Sequence, residues 1–155
     1  MKKLLTICLL IATAFTTNAQ EKPSREQTIK FIDTTLKKFV GNNDDGEVLK
    51  NISFNGVELI KTSTMYNEPS IDKYSNLHWE ELSFAIREDS KVSGFTKIQL
   101  SFETNFKQYM SLLNKERFFD WFTLYVPTDK IQSIEKAFLR LKEIAKEENK
   151  DPFEK

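Results

Sequence analysis

The chain has 155 residues, with 23 basic and 23 acidic side chains, a single cysteine and a single histidine. No block of five or more basic residues occurs, which removes the electrostatic footprint expected of a protein that binds nucleic acid or anionic lipid. Thirteen phenylalanines and two tryptophans promise an aromatic core.

The N-terminus reads as a secretory signal. Met1-Lys2-Lys3 is a basic start, Leu4 to Phe15 is an apolar core, and Thr17-Asn18-Ala19 supplies small residues for cleavage. The expected mature chain begins at Gln20, in the periplasm or beyond it. A spanning helix needs about 20 apolar residues, so this segment is too short for a stable membrane anchor. Cys8 lies inside the apolar core behind Ile7, not after the core as a lipid-modified cysteine would. The mature chain is then free of cysteine, which excludes disulfides, thiolate nucleophiles and thiolate metal sites. Removing nineteen of the 155 residues leaves 136, the size of one domain, spanning 20–155. Loss of Lys2 and Lys3 leaves 21 bases against 23 acids, a formal charge of −2.

After a short linker, Ser24 and Gln27 form a capping box ahead of Ile29, Ile32, Leu36 and Phe39/Val40 at helical spacing. The pattern predicts a helix over 24–40, with Gly41 placed to end it in the left-handed conformation. Asn42 to Glu47 is acidic, but calcium-loop numbering would put Gly41 and Ile52 at ligand positions, so it reads as a solvated loop. From Val48 the pattern turns to strands. Asn55-Gly56 between apolar runs predicts a hairpin with a type I′ turn. Ile71 to Tyr74 is a weak strand, and Leu82, Phe84 and Ile86 alternate with polar neighbours. Ile98, Leu100 and Phe102 do the same after a turn at Gly94. Segment 104–117 fits a short helix or an irregular strand equally well.

Phe118 to Val126 is apolar on both faces. Phe118, Phe122, Leu124 and Val126 are assigned to one side and Phe119, Trp121 and Tyr125 to the other, where the first helix is expected to pack. Thr128 is placed to cap a last helix over 128–148, whose stripe is Ile131, Ile134, Ala137/Phe138, Leu141 and Ile144/Ala145. Acidic residues interleave with the lysines of its polar face, so it reads as a lid on a sheet or barrel and not as a membrane-surface helix. One helix, five to seven antiparallel strands and one amphipathic helix make an α+β fold.

Candidate chemistry is sparse. His78 has no nucleophile motif such as Gly-x-Ser-x-Gly around it, and a zinc site would have only one nitrogen ligand. Glu80 and Glu81 are adjacent and would point apart. Asp120, in phase with Phe118 and Phe122, would sit on an apolar face, where burial would raise its pKa, or else at the strand's rim. No glycine-rich phosphate cradle is present, and no cofactor or metal is implied. The stripe Phe119, Trp121 and Tyr125 is the candidate binding surface for a peptide or protein, with core packing as the alternative. Phe84, Phe102 and Phe138 would line a cavity if the protein instead carried a small apolar ligand.

The turn Trp79-Glu80-Glu81-Leu82, the alternating strands at 95–103 and 118–126, and Val126-Pro127 leading into the helix Ile131–Ala145 resemble the pleckstrin-homology-like barrel, especially its small exported bacterial versions with an added N-terminal helix. The resemblance covers about 47–148 and implies a bent antiparallel barrel, or a strongly curved sheet, closed at one end by the last helix. Phosphoinositide-binding members use a basic loop between the first two strands, and the corresponding Phe54-Asn55-Gly56-Val57 has no basic residue. Because no constellation of catalytic groups can be assembled at sensible spacing, the expected function is that of an exported non-catalytic binding module, with a carrier of a small apolar ligand as the alternative and a hydrolase built on Asp120 or His78 as the remote one.

Overall fold

A computed structural model describes residues 22–87 and 92–150. The signal segment, Cys8, the cleavage position, Glu88-Asp89 and Asp151-Pro152 lie outside the described residues.

Helix α1 (Arg25–Leu36) opens on the predicted capping box. The Ser24 hydroxyl accepts from the Gln27 amide, and the Gln27 side chain accepts from the Ser24 amide. The α-helix is shorter than its apolar pattern, because Lys37–Phe39 tightens into a 3-10 turn. Gly41 then takes a positive φ of 88°, as expected, but its amide donates to Leu49 across the chain and not back into the helix.

Seven antiparallel strands follow, forming a curled half-barrel: β1 (Asn43–Asp44), β2 (Glu47–Phe54), β3 (Leu59–Met65), β4 (Glu68–Ser75), β5 (Ser83–Arg87), β6 (Phe95–Met110) and β7 (Lys115–Pro127). The sheet runs β1-β2-β3-β4-β6-β5, with β7 on the other edge of β6. The long β6 is the hinge of the architecture. Its C-terminal end pairs with β4 at Lys107–Met110, and its N-terminal half pairs with β5 at Lys97–Ser101. The ambiguous segment 104–117 is therefore strand, interrupted only by a 3-10 turn at Ser111–Leu113 and a left-handed Asn114.

The hairpin between β2 and β3 exists, but not with the expected turn. Phe54 pairs with Leu59, leaving a four-residue loop in which only Gly56 has a positive φ. The reason is local: the Asn55 side chain accepts from the amides of Val57 and Glu58, which holds the loop open at four residues. Two-residue turns with positive φ at both centres occur instead at Asp45-Gly46, inside the acidic stretch read as a loop, and at Tyr66-Asn67.

Helix α2 (Ile131–Glu148) buries Ile134, Phe138, Leu141, Ile144 and Ala145, as its periodicity requires. Thr128 does not cap it. Thr128 begins a 3-10 turn, its hydroxyl pairs with that of Thr96 at 3.0 Å, and its amide donates to Gly94. Under α2 lies an aromatic layer. The Trp79 ring contacts Phe54, Phe102 and Phe138 at centroid distances of 5.3, 5.6 and 6.1 Å, and Phe84 leans on Phe138 at 6.2 Å. Such packed rings contribute beyond their area through edge-to-face and offset contacts.

Candidate functional site

The two faces of β7 do not keep the strict alternation assumed from sequence. Residues 102–105 of β6 stand opposite Asp120 alone, so the ladder slips between the pairs Ser101–Trp121 and Phe106–Phe119. Glu81 holds this bulge: its carboxylate accepts from the Thr104 amide at 2.7 Å and from the Thr104 hydroxyl at 2.9 Å. Those bonds, the backbone one foremost, draw the Glu81 carboxyl below the usual range. On β7 the slip leaves Phe122, Leu124 and Val126 in the core but puts Phe118 outside.

The stripe Phe119, Trp121 and Tyr125 is consequently not one surface. Phe119 is half-buried against the core beside Phe106. Tyr125 stacks on Phe39 at 4.3 Å and 9°, so the end of the first helical segment does cover it, as expected. Trp121 remains 50% exposed, and Phe118 beside it on the strand is 66% exposed. Asp120 is exposed between them, which is the rim position and not the apolar one. The register puts polar side chains alongside: Ser101 across from Trp121, and Lys107, ion-paired to Glu116 at 2.7 Å, across from Phe118.

Sequence reading missed a second feature, at the seam where the half-barrel does not close. Lys61 on β3 reaches Glu47 at 2.9 Å and Asp72 at 3.8 Å, and Lys97 on β6 reaches Asp44 at 3.6 Å. These five charged side chains are half-buried, and three of them, Asp44, Glu47 and Lys61, line a cavity of about 70 Å³ together with Leu36, Phe39 and Tyr125. That volume holds about two waters and is well under the roughly 300 Å³ of a drug-sized pocket. Burial pushes the Glu47 carboxyl up, but the charge and hydrogen bond of Lys61, with help from Ser63, outweigh it and leave Glu47 below its ordinary range. Asp72 goes the other way, raised by burial and by Glu47 against the pull of Lys61. The buried Tyr74 hydroxyl is pushed well up by burial and by these two carboxylates. No signal short of the fold could have gathered residues from five strands and turns.

His78 stands at the entrance to the Trp79 turn with its Nδ1 3.4 Å from Glu80 Oε1, while Glu81 turns away to Thr104, as adjacent residues should. Among the described residues no group of three or more His, Asp or Glu is arranged to hold a metal, and no helix is long and apolar enough to cross a membrane. No family model, no curated protein and no solved structure matches the chain.

Proposed function

We propose that this chain is an exported, non-catalytic interaction domain that holds a peptide or protein partner against the outer face of β7. The observation that carries the reading is the exposure of Phe118 and Trp121, three positions apart on β7. Large aromatics set in a polar rim are the composition of an interface hot spot, where each contributes through desolvation on docking. The bulge at 102–105 explains why they face out: without it, β7 would keep phase and Phe118 would follow Phe122 into the core. Export rests on the pattern Met1 to Ala19, with cleavage after Ala19. Kinship with the small exported pleckstrin-homology-like proteins is part of the same reading, supported by the curled antiparallel half-barrel and the C-terminal helix.

The test uses the mature chain and a Phe118→Ser/Trp121→Ser variant as paired baits in an envelope extract. A protein retained by the native chain alone is then purified and titrated against both. The reading expects the variant to bind at least about 30-fold more weakly, the size of one hot-spot residue. Equal retention and equal affinity would remove this face from the function.

A further inference from the structure

We propose that the crevice between the N-terminal end of α1 and the C-terminal end of α2 binds a small zwitterion of the α-amino-acid class with an apolar side chain. The crevice measures about 230 Å³, room for a molecule of a few heavy atoms and less than drug-sized pockets offer. Its wall is mixed, with the apolar Val57 of the β2–β3 loop, Leu77 and Trp79 beside the polar Asn76 and Asn149. Its rim is charged: Arg25 from α1, Glu148 from α2 and Glu80 from the Trp79 turn.

The charges decide the ligand class. Arg25 and Glu148 are ion-paired across the crevice, and both remain partly exposed. A simple anion drawn to Arg25 would also face the carboxylates of Glu148 and Glu80, and a simple cation drawn to those carboxylates would face Arg25. A zwitterion can enter the pair and leave every charge matched, its carboxylate on the Arg25 fork and its ammonium between Glu148 and Glu80. The helix ends favour the same orientation, since the carboxylate lies towards the start of α1 and the ammonium towards the last carbonyls of α2. The apolar side chain of the ligand then meets Leu77 and Val57.

Two residues that line this crevice have a left-handed backbone. Asn76 is a non-glycine residue at a φ of 57°, and Gly56 has a φ of 86° with its carbonyl taken by the Trp79 indole N–H at 2.8 Å. A left-handed asparagine costs some stability and persists where its surroundings hold it, whereas glycine takes that conformation freely.

This inference does not involve the outer face of β7, so each proposal can fail without the other. Isothermal titration of the folded mature chain compares three probes at about pH 6.5, where an α-amine is charged: L-leucine, N-acetyl-leucine lacking the cation, and leucinamide lacking the anion. Leucine is expected to bind at least about tenfold more tightly than either analogue, with a shift in the emission of Trp79 in a Trp121→Phe background. Arg25→Gln and Glu80→Gln, each checked by circular dichroism, are each expected to weaken leucine at least about tenfold. Glu80→Gln alone decides if Arg25→Gln does not fold. The proposal is overturned if leucine gives no heat up to about 10 mM, if an analogue binds as well, or if leucine binds the folded charge variants as tightly as the native chain.

Discussion

Substituting glycine by alanine at two turns separates backbone strain from steric conflict in this fold. Gly41 and Gly56 have nearly the same left-handed conformation, with φ of 88° and 86°. An alanine Cβ at Gly41 would meet nothing within 4 Å, whereas at Gly56 it would stand 2.4 Å from Ile29 Cδ1 and 3.1 Å from its Cγ1. The shared conformation costs an L-residue about 1–2 kcal/mol. The second position adds an overpacking cost of about 1–2 kcal/mol, because Ile29 must leave its rotamer or the loop must lift off α1. For a chain of this size 1 kcal/mol moves Tm by about 3–4 °C, so Gly56→Ala should lower it by roughly 10 °C and Gly41→Ala by roughly 5 °C. Urea unfolding followed by tryptophan emission gives the free energies directly, since the Trp79 indole is buried and its N–H is tied to Gly56. In an Ile29→Val background, which lacks Cδ1, Gly56→Ala should recover about 1 kcal/mol and Gly41→Ala nothing. Equal losses at the two glycines, or no recovery with Ile29→Val, would refute the account of how the β2–β3 loop seats on α1.

Phe138→Ala empties the centre of the aromatic layer between Trp79 and Phe84 and should cost about 3–5 kcal/mol in urea unfolding, with the Trp79 emission shifted to the red. Trp121→Ser alone should change stability by no more than about 0.5 kcal/mol, since it removes a half-exposed ring, and a larger loss would place Trp121 in the packing and not on a free face. Asp72 has a folded pKa above its ordinary value, so at neutral pH its ionised form works against the fold, and the cost disappears as pH falls through that pKa. Asp72→Asn should therefore raise Tm at pH 7, with the gain fading on acidification. Glu47 has the opposite sign: its depressed pKa supplies stability above its unfolded value of about 4.5, lost as pH falls through the folded pKa, so Glu47→Gln should lower Tm at pH 7 and cost progressively less in acid.

What the sequence revealed follows the range of the interactions involved. The capping box at Ser24 and Gln27 and the stripe of α2 are set within one or two helical turns, and both are present as read. The two-faced character of β7 was visible, but the phase was not. It depends on residues 102–105 of the neighbouring strand, pinned by a carboxylate from Glu81, 23 positions away from Thr104. Asn55-Gly56 carried the strongest hairpin signal and marked a real hairpin, yet the Asn55 side chain chose a longer loop. The tight turn at Tyr66-Asn67 had a weaker signal because tyrosine seldom adopts a positive φ, and here it is held there by the short β3–β4 connection. Of the candidate stripe, Trp121 alone kept a large exposure, and Phe118, assigned to the opposite side of the strand, is exposed as well.

The seam charges find their explanation in the edges they sit beside. Among the described residues, β5 ends the sheet on one side, and the gap of the half-barrel leaves rows of unpaired backbone groups along β2 and β7, which invite pairing with another chain. Along β2 the edge is closed piece by piece. Gly41 donates to the Leu49 carbonyl, Asn42 accepts from the Leu49 amide, and the Asp33 carboxylate of α1 accepts from the Phe54 amide at 2.9 Å. Leu36 and Phe39 cover the apolar part of the gap, and Phe39 reaches across to Tyr125 on β7. What remains is too narrow for another strand and too polar to stay dry, and it is there that Lys61, Glu47 and Asp72 meet while Lys97 holds Asp44. Inward-facing charges at an edge make a misdocked strand costly, because it would have to desolvate them without partners. This accounts for a half-buried cluster that apolar residues could have replaced with a gain in stability, and it does so without a ligand in a cavity of about 70 Å³. The aromatic pair on β7 has no such edge-protecting role: among the described residues Phe118 and Trp121 stay 66% and 50% exposed, and it is this exposure that the proposed docking face would use.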